Sequence, residues 1–562
     1  MSDFFRTLAA RAHYLRLAGI YSLRGETLNG TVKSFSIVTG FSVATRLLSF
    51  LFKIWMSRSL GAEAVGLYQI ALSVLLLLFS LTAGAPTVLS RKVAECAARG
   101  DIARQNSLTT ASLLMGLGVS VVICAAFYAC SRFLGGIFAD ERCIPIFLAM
   151  LPALIVSAIY APLRSWFWGR KNFLSFSSAE LLDEVLKIGF SLLFAGGIFA
   201  SLSGAQGVAL AFVLSDAVCT IVLAVMFFKA GGRIAAPKGA KELISATVPL
   251  SSIRILTSLS ASLTALVIPK RLVAGGLSVA LATAQYGRVA GMALPLIMAP
   301  VTVISALSVV MIPDIAALAS QGDFARIRAK AQTSLLFAAL VSSFFFAVYV
   351  PLGRELGAFF FGDAEAGKFV SYAAAIIFPL SLCQVTTPIL NSLGMERVSF
   401  ASYIAGLVCM LPCIFFLPEV IGIYSVGVAS GLAFTVTAVI NFAVLSKKLG
   451  KPEGFGKVAG VCAFSVPLAL LGLFTGKLVS PYLGDTVTVL VLGVYVAFFY
   501  FVFVSAFGIV DIKAFFSAAV LPSSGAGIFT RRRPERKPTS EKCSARSRKG
   551  NATGPHGKKE RR

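Results

Sequence analysis

Between residues 34 and 509 the chain is a succession of apolar runs of about twenty residues, separated by short polar loops, each run long enough to cross a hydrocarbon layer as a helix. No other feature constrains the fold so tightly. Inside lipid, backbone N–H and C=O groups must find partners within the protein, so only helices or closed barrels span it. Barrel strands would alternate apolar and polar residues, and these runs do not. The expected fold is an all-α polytopic membrane protein of about fourteen transmembrane helices. Their expected bounds are 34–57, 64–90, 106–130, 143–167, 177–200, 205–229, 244–269, 282–312, 329–351, 368–392, 397–418, 421–446, 457–477 and 484–509. With 57% hydrophobic and 14% charged residues, a soluble domain is excluded.

Basic residues set the expected orientation, because loops rich in Lys and Arg stay in the cytoplasm. Alternate loops hold Arg91, Lys92, Arg99 and Arg104; Arg170 and Lys171; Lys229, Arg233, Lys238 and Lys241; Arg326, Arg328 and Lys330; and Lys447, Lys448, Lys451 and Lys457. The intervening loops are poorer, which places both termini in the cytoplasm. The net charge of +26 invites nucleic-acid binding, but its placement argues against that partner. Much of the excess lies after Leu521, at Arg531-Arg532-Arg533 and Lys558-Lys559. A polybasic tail beside a bilayer is drawn to anionic membrane lipids, at about 1 kcal/mol per basic residue. Residues 1–33 read either as a basic interfacial helix or as an extension. His13 and His556 lie in the terminal tails and the ten cysteines form no CxxC pair, so no metal, cofactor or enzymatic role is expected.

An internal repeat organises the runs. LPALIVSAIYAPLRSWFWGRKNFLSFSS, from Leu151 to Ser178, matches FPLSLCQVTTPILNSLGMERVSFASY, from Phe378 to Tyr403. Each has a proline, a second nine or ten residues on, a glycine six or seven later, then a basic residue and Ser/Phe. The offset of six helices implies two six-helix lobes with two C-terminal helices appended, the plan of many secondary transporters. The expected divisions are an N-terminal segment 1–33, an N-lobe 34–229, a linker 230–243, a C-lobe 244–448, two helices in 449–510 and a basic tail 511–562.

Charges inside the runs are the candidate functional residues, because burying charge at bilayer depth is costly and usually marks a wet path. Arg46 and Lys53 stand seven residues apart in the first run, two helical turns, so they share one face and suit an anion. Lys53 also suits snorkelling to the interface with Arg58. Arg254 sits in a polar stripe with Ser251, Ser252, Thr257, Ser258 and Ser260, and Lys270 and Arg271 end that run as expected interfacial anchors. Arg288 opens the eighth run, where Gly287, Gly291, Pro295 and Pro300 permit close packing and bending. Asp183 and Glu184 precede Lys187 by four and three residues, the spacing of local ion pairs. Asp216 has no local partner and is a candidate for ion coupling.

Local motifs then carry a resemblance. TRLLSFLFKIWMSRSLGAEAVGLYQIALS (Thr45 to Ser73) and GAPTVLSRKVAE (Gly84 to Glu95) resemble the opening of the polysaccharide-transporter branch of the multidrug/oligosaccharidyl-lipid/polysaccharide exporter superfamily. YGRVAGMALPLIMAPVTVISALSVVMIPDIA (Tyr286 to Ala316) resembles helix 8 of the stage V sporulation protein B group, and GVASGLAFTVTAVINFAVLSKKLG (Gly427 to Gly450) the family's twelfth helix. The resemblance implies a flippase for an undecaprenyl-pyrophosphate-linked saccharide, with a V-shaped cavity between lobes opening alternately to each side. It also implies that Arg46 and Arg288 match cavity arginines of the more distant lipid II flippases. Lys53 falls one residue late of a third such cation, and YQIALSVLLLLFSLTAG lacks the cation expected on the second helix. That departure favours sporulation-type or capsule-type cargo over lipid II. The alternatives are a cation-coupled multidrug antiporter of the same fold and a scaffold in envelope assembly. Nothing in the residues sets an oligomeric state.

Overall fold

The computed structural model describes residues 28–82, 84–195, 203–450, 455–479, 482 and 484–506. The interfacial reading of the N-terminal segment and the tail 511–562 fall outside these residues, apart from the helical residues 28–33. Among the described residues every regular element is helical.

α1 (Leu28–Thr82) is broken at Gly61, whose φ of 79° and ψ of 171° leave the helical region; only glycine takes that conformation readily. It therefore has two arms, and α2 (Gly84–Ala98) follows the second. α3 (Ile102–Ala129) starts at Asp101, whose side chain accepts from the Arg104 N–H. α4 (Cys143–Met150), α5 (Ala153–Gly169) and α6 (Phe173–Ala195) follow, then α7 (Gly204–Lys229), opened by a Ser203–Gln206 capping box. α8 (Ala240–Ala274) leads to α9 (Val279–Gly287), a π-helical segment Arg288–Ala293, and α10 (Leu294–Ser320). α11 (Phe324–Phe361), α12 (Ala364–Ala373), α13 (Ile377–Ser392) and α14 (Glu396–Phe416) come next. The short α15 (Pro418–Ile421) precedes α16 (Ser425–Leu449), α17 (Phe455–Val479) and α18 (Asp485–Ala506).

Among the described residues, twelve stretches are long and apolar enough to cross a membrane. One of them, Gly40–Ala98, runs for 59 residues across the Gly61 break, well over twice the roughly 20 residues one crossing needs. α6 is not among the twelve; it is 23 residues long and carries Glu180, Asp183, Glu184 and Lys187. The expected fourteen crossings are consistent with this arrangement.

The helices pack in two sets. In the first, α1 lies against α4, α6 and α7, α6 pairs with α7, and α2 packs on α3 and α5. In the second, α14 pairs with α16, α10 packs on α11 and α13, and α17 lies along α11. α8 runs beside the second arm of α1 and α2: Ser262 Oγ donates to Ser73 O at 2.6 Å, and Gly84 N donates to Ser251 Oγ at 3.2 Å.

The two sets meet closely at the Gly61 end. A Cβ on Gly287 would run into Ala62 O and the backbone of Gly66, and one on Gly66 into Thr283 O. The close packing expected at Gly287 and Gly291 is found there, with Gly291 against Val65. The repeat's two turns use different residues for one geometry. Asn172 N bonds Phe167 O with Lys171 at φ 56°, and Met395 N bonds Leu390 O with Gly394 at φ 72°. Gly169 instead stays helical, pressed on Ser90 and Val93.

Candidate functional site

The first arm of α1 presents Ser42, Arg46, Ser49 and Lys53 at spacings of three and four residues, one stripe of a helix. Ser49 Oγ donates to Glu184 Oε1 of α6 at 2.7 Å, and Lys53 lies in the field of the same carboxylate. The Ser49–Lys53 part of the stripe is thus turned toward α6. Arg46 is exposed, and among the described residues no group pairs its guanidinium. Val43, Leu47 and Leu51 beside it are 52%, 59% and 56% exposed, so this stretch of α1 faces a crevice or lipid rather than packed protein.

Below the stripe lies a buried charge cluster. Lys187 Nζ stands 3.1 Å from Glu184 Oε2 and 3.2 Å from Asp183 Oδ2, the local pairs expected from spacing. It also lies over the Phe212 ring at 5.5 Å. Asp216, on α7, is brought beside Asp183 and Lys187, with the buried Tyr68 close by. The sequence shows no partner for Asp216 because its partners sit on another helix. Three carboxylates here face two ammonium groups, Lys187 and Lys53.

The four candidate cations do not converge. At 1.5 Å per residue, Lys53 and Arg46 lie about 12 and 22 Å along the first arm from Gly61. Arg254 donates to Thr87 Oγ1 at 3.4 Å, about 39 Å from Gly61 along the returning helix. Arg288 lies at the Gly61 end itself, next to Gly287. It does not open its helix: Ser278 caps α9 ten residues earlier, and Arg288 begins the π-helical segment. Its Nε donates to Asp363 Oδ2 at 2.7 Å, while Asp363 Oδ1 accepts from the N–H groups of Glu365 and Ala366.

The Gly61 end carries contacts the sequence did not reveal. Arg58 Nε donates to Phe360 O at 2.9 Å and its Nη2 to Phe359 O, and Ser57 Oγ donates to Phe361 O at 3.1 Å. Arg142 bridges Glu63 Oε1 at 2.6 Å and Asp140 Oδ2 at 2.7 Å, and Asp140 accepts from Thr283 at 3.3 Å. Burial alone would raise the Asp140 carboxyl, but bonds from Arg142 and Thr283 hold it below the usual carboxylate range. Lys270 and Arg271 are more than interfacial anchors: Lys270 donates to Gly136 O, and Arg271 to Phe415 O and Glu419. A cavity of about 430 Å³ lies alongside, lined by Ser57, Arg58, Gly61, Ala62, Met292, Phe361, Gly362 and Asp363.

Long kinked helices of membrane-crossing length and internal polar clusters define a polytopic membrane protein. The model of the family described as "Polysaccharide biosynthesis protein" matches residues 31–319, and the chain belongs to that family. It is 24% identical over 446 residues to stage V sporulation protein B of Bacillus subtilis (strain 168), covering 74% of this chain and 84% of that protein. Among solved structures, it is similar to the lipid II flippase MurJ in an inward closed conformation, with a TM-score of 0.63 and 13% identity, over 84% of this chain and 98% of that one. It is also similar to an inward-facing multidrug resistance MATE family transporter of the MOP superfamily, with a TM-score of 0.62 and 14% identity, over 72% of this chain and 94% of that one. These structural likenesses show the shared fold.

Proposed function

We propose that the chain is a flippase that moves an undecaprenyl-pyrophosphate-linked saccharide across the bacterial cytoplasmic membrane by alternating access, with both termini in the cytoplasm. The observation that carries this reading is Arg46: a guanidinium about 22 Å from the helix break, on an exposed face, with no anion beside it among the described residues. A cation left unpaired at that depth calls for an anionic ligand, and guanidinium matches phosphate oxygens in bidentate geometry. Lys53 stands next along the same stripe, and Arg254 extends the cationic path toward the other end. Arg288 serves the same path when its bond to Asp363 is exchanged for phosphate. Spreading the charges lets a pyrophosphate pass from one to the next without a single tight clamp. The polyprenyl chain stays in lipid beside the exposed apolar residues of α1, and no covalent chemistry is needed.

Asp216 and Asp183, adjacent and in excess of nearby cations, are proposed as the coupling site through which an ion gradient biases the two states. Membership of the polysaccharide biosynthesis family supports a lipid-linked saccharide over a drug cation. Equilibrium binding of an undecaprenyl-pyrophosphate disaccharide tests the reading, with the matched monophosphate as comparison. Arg46→Gln should weaken pyrophosphate binding at least about tenfold, about 1.4 kcal/mol, and affect the monophosphate less. Equal, unchanged affinities in native protein and variant would remove Arg46 from the site.

A further inference from the structure

We infer that Arg58 is the latch that holds the Gly61 end shut, and that releasing it is the step that opens this end. The inference rests on the alternating-access reading for its place in transport, but its geometry stands apart. Ser57 and Arg58 close the first arm of α1 and donate to Phe359, Phe360 and Phe361, three successive carbonyls at the C-terminal end of α11. The last carbonyls of a helix have no partner within it and carry the negative end of its dipole, so a guanidinium is well placed there. These bonds cross about 300 residues of sequence and tie the first helix set to the second.

The corner that receives Arg58 is firmly built on its own side. Gly362 turns in the left-handed region at φ 70°, and Asp363 binds Arg288 while capping α12. Phe50 packs edge-on against Phe360 at 5.5 Å and Phe361 at 6.2 Å, sealing the same seam. Two features make the contact a latch rather than a rivet. Its acceptors are neutral carbonyls, so breaking it strands no buried carboxylate. The adjoining cavity of about 430 Å³ gives the exposed Arg58 side chain room to swing free.

At the other end the joint is of a different kind: α8 is held to α2 and α3 by Glu242, which meets Lys92 at 2.8 Å and Arg104 at 3.2 Å. α10 packs chiefly on α11 and α13 of its own set, and Val303 and Ile312 on it are 51% and 38% exposed. Loss of the Arg58 contacts should therefore shift the protein from closed to open at the Gly61 end.

Full-length protein in lipid nanodiscs, where both ends meet solvent, tests this with two single reporters, Ala62→Cys at the cavity and Ser42→Cys on the first arm. Maleimide labelling at each position is read by peptide mass spectrometry. Arg58→Gln should raise labelling at position 62 roughly tenfold and lower it at position 42, since a charged hydrogen-bond pair outweighs a tenfold bias. Arg58→Lys, with a compact ammonium in place of the fork, should fall between. No change at position 62, or a rise at both positions, would overturn the latch; the latter means general loosening. Because no substrate is used, failure here leaves the flippase reading untouched, and the reverse also holds.

Discussion

Lys187→Met removes the cation buried between Asp183 and Glu184. Its ammonium stands 3.2 and 3.1 Å from their oxygens, with side-chain exposures of 13%, 19% and 9% for Lys187, Asp183 and Glu184. Removing one partner of a buried pair costs about 3–5 kcal/mol, because the remaining charge loses both its water and its partner. Here three carboxylates are left with Lys53 alone, so the loss should sit within that range. Lys187→Met/Glu184→Gln should recover at least about 1 kcal/mol, since the amide oxygen still accepts from Ser49 while one stranded charge disappears. Unfolding in mild detergent followed by circular dichroism gives both values. A single variant costing under about 1 kcal/mol, or a double variant no better than the single, would refute the picture of a mutually neutralising cluster.

Two further substitutions probe the Gly61 end. Gly287→Ala places a methyl group into Ala62 O and the Gly66 backbone; its φ of −59° carries no strain penalty, so the effect is contact alone. Overpacking of about 1–3 kcal/mol should favour the open form by roughly five- to 150-fold, read by labelling at Ala62→Cys, whereas unchanged labelling would show that the close approach does not hold this end shut. Asp140→Asn should destabilise the protein by a constant amount from pH 8 to pH 5. A carboxyl held below its unfolded value of about 3.9 contributes fully above that value and loses the contribution only as pH falls through the lower folded one. A difference between Asn variant and native that shrinks between pH 8 and pH 6 would contradict this assignment.

What the sequence shows and hides follows from the range of each interaction. Apolar run length announces crossings, and three- and four-residue spacing announces both the Asp183/Glu184/Lys187 pairs and the common face of Arg46 and Lys53. Glycines at 287 and 291 announce a close approach without naming the partner, which is α1. Contacts across sequence distance leave no such trace. Arg58 reads as a snorkelling residue until Phe359 and Phe360 are brought to it, and Arg288 reads as a free cation until Asp363 meets it. Asp216 looks solitary because α6 and α7 must pack before Asp183 reaches it. Gly61 looks like any loop glycine, yet its extended ψ turns one apolar stretch into two arms. The repeat's turns show the limit within a motif, because Lys171 in one copy takes the backbone role of Gly394 in the other.

The central claim is that this cationic path carries a lipid-linked pyrophosphate saccharide. Translocation of a fluorescent undecaprenyl-pyrophosphate oligosaccharide in proteoliposomes, by native protein, Arg46→Ala and Arg288→Ala, tests it most directly. The account predicts transport by the native protein and loss of at least about tenfold in Arg46→Ala, with Arg288→Ala also impaired. No movement of the lipid-linked sugar, with expulsion of a cationic dye along an ion gradient instead, would contradict it and make the chain an antiporter.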